Sequence, residues 1–167
     1  MNKSFITLKI DQYLFGIDVV FVREVNRYID ISPVSLAPDF ITGLMNLRGQ
    51  IVTIIDPGVK LDLGKTEIKE TSRCVVMKNG SEITHSKTGI ALNETVGILV
   101  DAVGDIIIVE EEAIEPLPPN LTEFDNDYIS GVVKLDNELL LILKIDSLLK
   151  NDLKNMTTCD TQKESTK

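Results

Sequence analysis

Residues 40–56 read FITGLMNLRGQIVTIID, and how this stretch folds decides the reading of the rest of the chain. Two apolar arms, residues 42–47 and 50–55, are separated only by Arg48 and Gly49. So short a connection between apolar runs predicts a β-hairpin whose tip needs positive φ, which is why Asn-Gly, Asp-Gly and Gly-Gly usually occupy it. Arginine is not among them. In the second arm Ile51, Thr53 and Ile55 share one face while Val52 and Ile54 share the other. A strand apolar on both faces has to be covered on both sides, so it is expected in the middle of the protein. A charge at the tip of such a hairpin breaks a local rule, and rules of this kind are broken at functional sites.

The pattern returns near the end of the chain as YISGVVKLDNELLLILK, residues 128–144. With Phe40 set on Tyr128, an offset of 88 (128 minus 40), Gly43 meets Gly131, Thr42 meets Ser130, Leu47 meets Leu135 and Ile54 meets Ile142. Earlier segments align at an offset of 81: Phe15-Gly16-Ile17 with Val96-Gly97-Ile98, then Val22 with Val103 and Glu24 with Asp105. Glycines and hydroxyl residues align as well as apolar ones, which separates a repeat from the alternation any two buried hairpins share. Two related β units in tandem are expected, unit one over about 3–64 and unit two over about 71–149. At the second tip Arg48-Gly49 becomes Asp136-Asn137, ordinary turn chemistry. The arginine is what the first copy has added.

The chain has 167 residues, 43% of them hydrophobic, enough for one compact domain or two small ones sharing a core. A net charge of −9 argues against a polyphosphate partner, which requires a basic stripe, and favours protein partners. The absence of tryptophan and the 5% aromatic content argue the same way against a barrel that stacks bases or small molecules. No apolar run approaches the roughly 18 residues of a membrane helix, and the first residues lead into a strand rather than a signal peptide, so the cytoplasm is expected. Cys74 lies in an apolar run and Cys159 in a polar one, so no disulfide framework is expected. His85 is the single histidine, and neither a nucleophile elbow nor a phosphate-binding glycine loop occurs. Glu110-Glu111-Glu112 reads as solvated surface. No catalytic residue, metal site or cofactor is expected.

Along the chain, residues 4–10 and 13–17 predict a first hairpin. Asp18 either caps a helical turn or opens a bent strand running to Arg27; periodicity leaves both open. Pro33 and Pro38 make residues 29–39 a surface crossing, and Pro116, Pro118 and Pro119 do the same for 110–120. Residues 73–77 are expected as a strand, 78–94 as an enlarged mobile loop, and 95–109 as two apolar runs around Gly104-Asp105. Asp146 is the expected N-cap of a closing helix in which Leu149, Leu153 and Met156 recur at helical spacing.

The segments FGIDVVFVREV (15–25), ITGLMNLRGQIVTIID (41–56), VGILVDAVGDI (96–106) and YISGVVKLDNELLLILKIDSLL (128–149) resemble, in that order, the CheW-like family of bacterial chemotaxis coupling proteins. The likeness covers most of 5–149, and NLRG at 46–49, followed by an apolar strand ending in aspartate, is its most specific part. It implies a mainly β fold of two tandem SH3-like five-stranded β-barrel subdomains sharing a core, with a short C-terminal helix at about 146–156. The CheW-like domain would cover 1–156, and 157–167 would be a polar disordered tail.

The implied function is a non-catalytic adaptor without cofactors. It would link the cytoplasmic hairpin tips of chemoreceptors to the regulatory domain of a CheA-type histidine kinase, in the cytoplasm but recruited to membrane-associated arrays. The same fold could serve another two-component route, such as surface motility, or act as a kinase-binding decoy. Carried over by position, the receptor groove between the subdomains would involve Val22, Glu24, Arg48, Gly97 and Val103. Gly43 matches a position tied to coupling or the kinase interface. Val22 and Val103 are also good core positions, and Gly43 with Gly131 could simply permit close packing. The long 78–94 loop and Pro57-Gly58 after the central strand depart from the family pattern.

Overall fold

The computed structural model describes residues 1–78, 95–119 and 127–149. Ten strands carry these residues: β1 (Asn2–Ile10), β2 (Tyr13–Asp18), β3 (Val22–Asn26), β4 (Ile41–Leu47), β5 (Gln50–Ile55), β6 (Arg73–Met77), β7 (Thr95–Val100), β8 (Ala102–Glu110), β9 (Ile129–Lys134) and β10 (Leu139–Leu143). A one-turn helix, α1 (Pro57–Lys60), follows β5. The strands form two five-stranded sheets, ordered β8-β1-β2-β10-β9 and β3-β6-β7-β5-β4.

The expected repeat is visible strand by strand, with an exchange. Each sheet takes the first two strands of one copy and the last three of the other. The parallel pairs are equivalent to the residue: Val52 with Thr95 and Ile54 with Gly97 in one sheet, Leu140 with Leu14 and Ile142 with Gly16 in the other. The bounds 3–64 and 71–149 therefore describe units of sequence, while in space each sheet is completed by the opposite copy. The chain changes sheet at Asp18. Its carboxylate Oδ1 accepts from the Val20 amide at 3.1 Å, folding Val19–Phe21 into a single 3-10 turn before β3 begins. Helical turn and bent strand thus both occur, in series. The second change of sheet is at Asp101, between β7 and β8, so the break in 95–109 lies there rather than at Gly104-Asp105. Gly104-Asp105 is instead a bulge, where the register with β1 shifts between Ile6 and Leu8 and the Thr7 hydroxyl donates to the Asp105 carbonyl at 2.7 Å.

The proline-rich crossings leave β3 and β8 and pair with the strand at the far edge of the same sheet, β4 and β9. Ser32 exchanges two backbone bonds with Leu44, and Glu115 exchanges two with Val132, the repeat mate of Leu44. Both crossings press on a glycine. A Cβ on Gly43 would lie 2.3 Å from the Ser32 carbonyl oxygen, and one on Gly131 would lie 2.7 Å from Ile114 Cγ2.

Three apolar clusters result. Met45, Val52, Ile54, Cys74, Val76 and Leu99 fill one barrel, and Phe5, Val109, Val133, Leu140 and Ile142 fill the other. The largest lies between the barrels and includes Leu8, Phe15, Ile17, Ile55, Val75, Met77, Ile98, Val100, Leu141 and Leu148. Each such side chain contributes about 1.5–3 kcal/mol on burial, so this shared cluster ties the barrels together. β5 is an interior strand, between β7 and β4, but coverage of both faces begins only at Val52; Ile51, beside the hairpin tip, remains 58% exposed.

Asp56 caps α1 and, through bonds from Gly58, the Thr66 amide and the Thr66 hydroxyl at 2.7–3.0 Å, anchors the linker that follows. In the second copy Lys144 stands where Asp56 stands, and its carbonyl accepts from the Leu148 amide at 3.0 Å. Residues 145–149 are helical, which puts Asp146 inside the first turn instead of at its N-cap. The rest of that helix, the 157–167 tail, residues 79–94 with His85, and Cys159 lie outside the described residues.

Lys60 pins the junction of the two copies. Its Nζ lies 4.7 Å from the Phe40 ring centre and 5.5 Å from that of Tyr128, Phe40's repeat mate, and donates to the Leu148 carbonyl at 3.2 Å. Burial lowers its pKa to about 8.

Two outcomes follow from these contacts. Gly43→Ala and Gly131→Ala should each lower unfolding free energy by about 1–3 kcal/mol through overpacking, read from urea denaturation. Gly49→Ala, where nothing lies within 4 Å of an added Cβ but φ is +86°, should cost about 1 kcal/mol through backbone strain alone. For Lys60, the unfolded chain keeps a proton up to about 10.5 that the folded protein sheds near 8. Stability should therefore rise with pH across that window, and the Tm of wild type relative to Lys60→Met should move in wild type's favour between pH 8 and 10.

Candidate functional site

The hairpin of β4 and β5 turns through Arg48 at φ 53° and Gly49 at φ 86°, with Leu47 paired to Gln50. This is the doubly positive turn that suits the strand twist and ordinarily selects Asn-Gly. An L-residue other than glycine or asparagine is strained there by about 1–2 kcal/mol. Two contacts hold the tip. The Asn46 side-chain oxygen accepts from the Gly49 amide at 2.9 Å, and Arg48 Nη2 donates to Glu24 Oε1 at 2.6 Å.

Glu24 comes from β3, on the opposite edge of the sheet from β4. The two meet because the sheet curls on itself. Beside them Arg23 Nη1 donates to Gln50 Oε1 at 3.1 Å, and Gln50 Nε2 donates to Thr95 Oγ1 at 2.6 Å. The result is a polar ridge at one end of the barrel, joining β3, β5, β7 and the hairpin tip. The Arg48 side chain is 76% exposed and that of Glu24 only 25%. So exposed an ion pair contributes less than about 1 kcal/mol to stability. Its physical effect is orientation: one donor of the fork is engaged and the planar cation is held outward.

The expected site residues divide into three groups. Glu24 and Arg48 are in direct contact. Val22 and Val103 occupy equivalent places on β3 and β8, half-buried, with their side chains against the shared core. Gly97 is buried in β7 and offers no surface for a partner: a Cβ there would lie 2.7 Å from Cys74 Sγ and 3.1 Å from Ile54 Cδ1. Its repeat mate Gly16 is less tight, a Cβ there lying 3.2 Å from Leu140 Cδ2, and both glycines leave room for side chains of neighbouring strands. Gly43 is likewise buried beneath its crossing segment, which accounts for it structurally. Under the site, burial and then the charge of Glu24 push the Cys74 thiol up to about 12, so it is inert.

Sequence reasoning missed Arg23, Gln50, Thr95 and Asn46. Only Asn46 carried a readable signal, a side-chain acceptor two residues before a tight tip. Among the described residues no group of three or more acidic, histidine or cysteine side chains could hold a metal ion, and no helix is long and apolar enough to cross a membrane.

The model of the CheW-like domain matches residues 4–153. The chain belongs to the CheW-like domain family. It is 29% identical over 152 residues to the chemotaxis protein CheW of Klebsiella aerogenes, covering 91% of this chain and 84% of that one. Against the chemotaxis protein CheW of Rhizobium meliloti it is 26% identical, covering 90% of each. Among solved structures, the scaffolding protein TtCheW of Thermoanaerobacter tengcongensis superposes with a TM-score of 0.72 at 30% identity, covering 86% of this chain and 85% of that one.

The strained tip yields a further expectation. Arg48→Asn should relieve the turn and raise stability by about 0.5–1 kcal/mol, as substitutions that relax functional sites commonly do. Chemical denaturation measures this, and a loss of stability would mean that the Glu24 contact outweighs the strain.

Proposed function

We propose that this CheW-family protein is a scaffolding adaptor of bacterial chemotaxis, coupling chemoreceptors to a CheA-type histidine kinase by simultaneous non-covalent binding. The observation that carries the reading is the guanidinium of Arg48, held outward by Glu24 at an exposed tip where ordinary turn chemistry would place asparagine. A cation fixed in this way takes a carboxylate or amide oxygen of a receptor hairpin through its remaining donors, with little ordering still to be done on binding. Val22 supplies an apolar flank on the strand of Glu24, and Val103 its counterpart on β8. Gly97 acts from below, by leaving room for the Cys74 and Ile54 side chains beneath the ridge. The mechanism is binding alone. Bringing receptor and kinase onto one rigid body raises the effective concentration of each for the other. The kinase's regulatory domain occupies a different surface from the ridge.

The test is comigration on size exclusion with a CheA-type regulatory domain and with a receptor cytoplasmic fragment, separately and together. Wild type should bind both. Arg48→Glu should lose about tenfold or more in receptor affinity through like-charge contact, while kinase binding and Tm stay unchanged. Kinase binding without receptor binding would favour the decoy or another two-component route, and full receptor coupling by Arg48→Glu would remove that residue from the site.

A further inference from the structure

β8 is the outermost strand of its sheet, bonded to β1 on one side, and among the described residues no strand pairs with its other side. Its residues alternate: Ile107 and Val109 turn into the barrel core beside Phe5, while Ile106 and Ile108 face out, 60% and 71% exposed. Edge strands are normally blunted by shortness, charge or a bulge, because a row of unpaired backbone groups is a template for another chain. β3, the repeat mate at the edge of the other sheet, obeys this rule: it has five residues and carries Arg23, Glu24 and Asn26. β8 has nine residues; its bulge and Asp105 sit near its start and Glu110 at its end, and between them it presents exposed isoleucines. Exposed acids bracket them, Asp105 before and Glu110, Glu111 and Glu112 after.

We infer that β8 is a docking edge to which a partner protein adds an extended strand, apolar at alternate positions and bearing lysine or arginine at its ends. The backbone edge supplies affinity, Ile106 and Ile108 select apolar side chains on one face, and the acidic brackets select basic ends. The bulge at Gly104-Asp105 and the 3-10 turn Glu111–Ala113 limit the edge to a short strand. A second copy of this chain is the wrong occupant, because each carries a net charge of −9 and the same acidic brackets. Arg48 belongs to the other sheet, and Val103, the one residue of β8 placed in the receptor site, lies before the bulge that precedes Ile106 and Ile108.

The probe is a synthetic seven-residue peptide alternating valine and threonine between terminal lysines, titrated into 15N-labelled full-length protein and followed by chemical shifts. Shifts should saturate and centre on β8 and β1. A glutamate-ended peptide should bind about tenfold more weakly at low salt, and alternate N-methylation of the peptide should abolish binding. Ile106→Lys with Ile108→Lys, both at exposed positions, should remove binding with Tm unchanged; if that variant unfolds, Ile108→Thr alone should still weaken it. Shifts centred elsewhere, equal affinity for the glutamate-ended peptide, or β8 shifts that depend on protein concentration without peptide would each overturn the inference.

Discussion

The structure depends on one constraint: neither half of the chain can complete a sheet alone. After two strands the first copy is turned out of its sheet by a single side-chain cap, Asp18 on the Val20 amide, and its remaining strands finish the other copy's sheet. The second copy changes sheet at Asp101, whose carboxylate instead accepts from the Asp11 amide at 2.7 Å. Each barrel is therefore built across the repeat, and the largest apolar cluster lies between the barrels rather than within either. A change in one half is felt in both, because strands of opposite copies are hydrogen-bonded partners, Leu14 with Leu140 and Val52 with Thr95. Lys60, held between the equivalent rings Phe40 and Tyr128 and bonded to its own repeat mate Leu148, marks the place where the copies meet.

On this frame the candidate site costs little to build. The scaffold already curls β3 towards the β4–β5 hairpin, so a glutamate on one and an arginine at the tip of the other suffice to fix an outward cation. The second copy retains the hairpin but not the positive charge, since its tip is Asp136-Asn137. Duplication supplied two similar ends, and substitution at one tip made them chemically different. The edges diverged too: β3 stays short and polar, while β8 is long and exposes isoleucine.

Much of the fold was legible because its signals are local or periodic. The two hairpins, the crossings and the tandem repeat follow from apolar alternation, proline placement and aligned glycines. Arg48 was legible as an exception to turn chemistry, and Glu24 came with the family resemblance. Arg23, Gln50 and Thr95 were not legible, because polar residues at strand starts look alike until the sheet's curvature shows which ends converge. Gly97 was ambiguous for a related reason: at the level of sequence a glycine needed for packing cannot be told from one needed by a partner, and the structure shows that an added Cβ would meet Cys74 and Ile54.

The sequence by itself determined that there are two related β units, where their hairpins turn, and that one tip carries a charge that turn geometry does not favour. Those properties depend on residues within a few positions of one another. Only the tertiary structure decided which strands share a sheet, that Glu24 and Arg48 meet, and that β8 presents isoleucine to solvent while β3 does not expose such a pair. Pairing between strands so distant in the chain is settled by how both apolar faces are buried together, and no local pattern encodes which partner will cover which face.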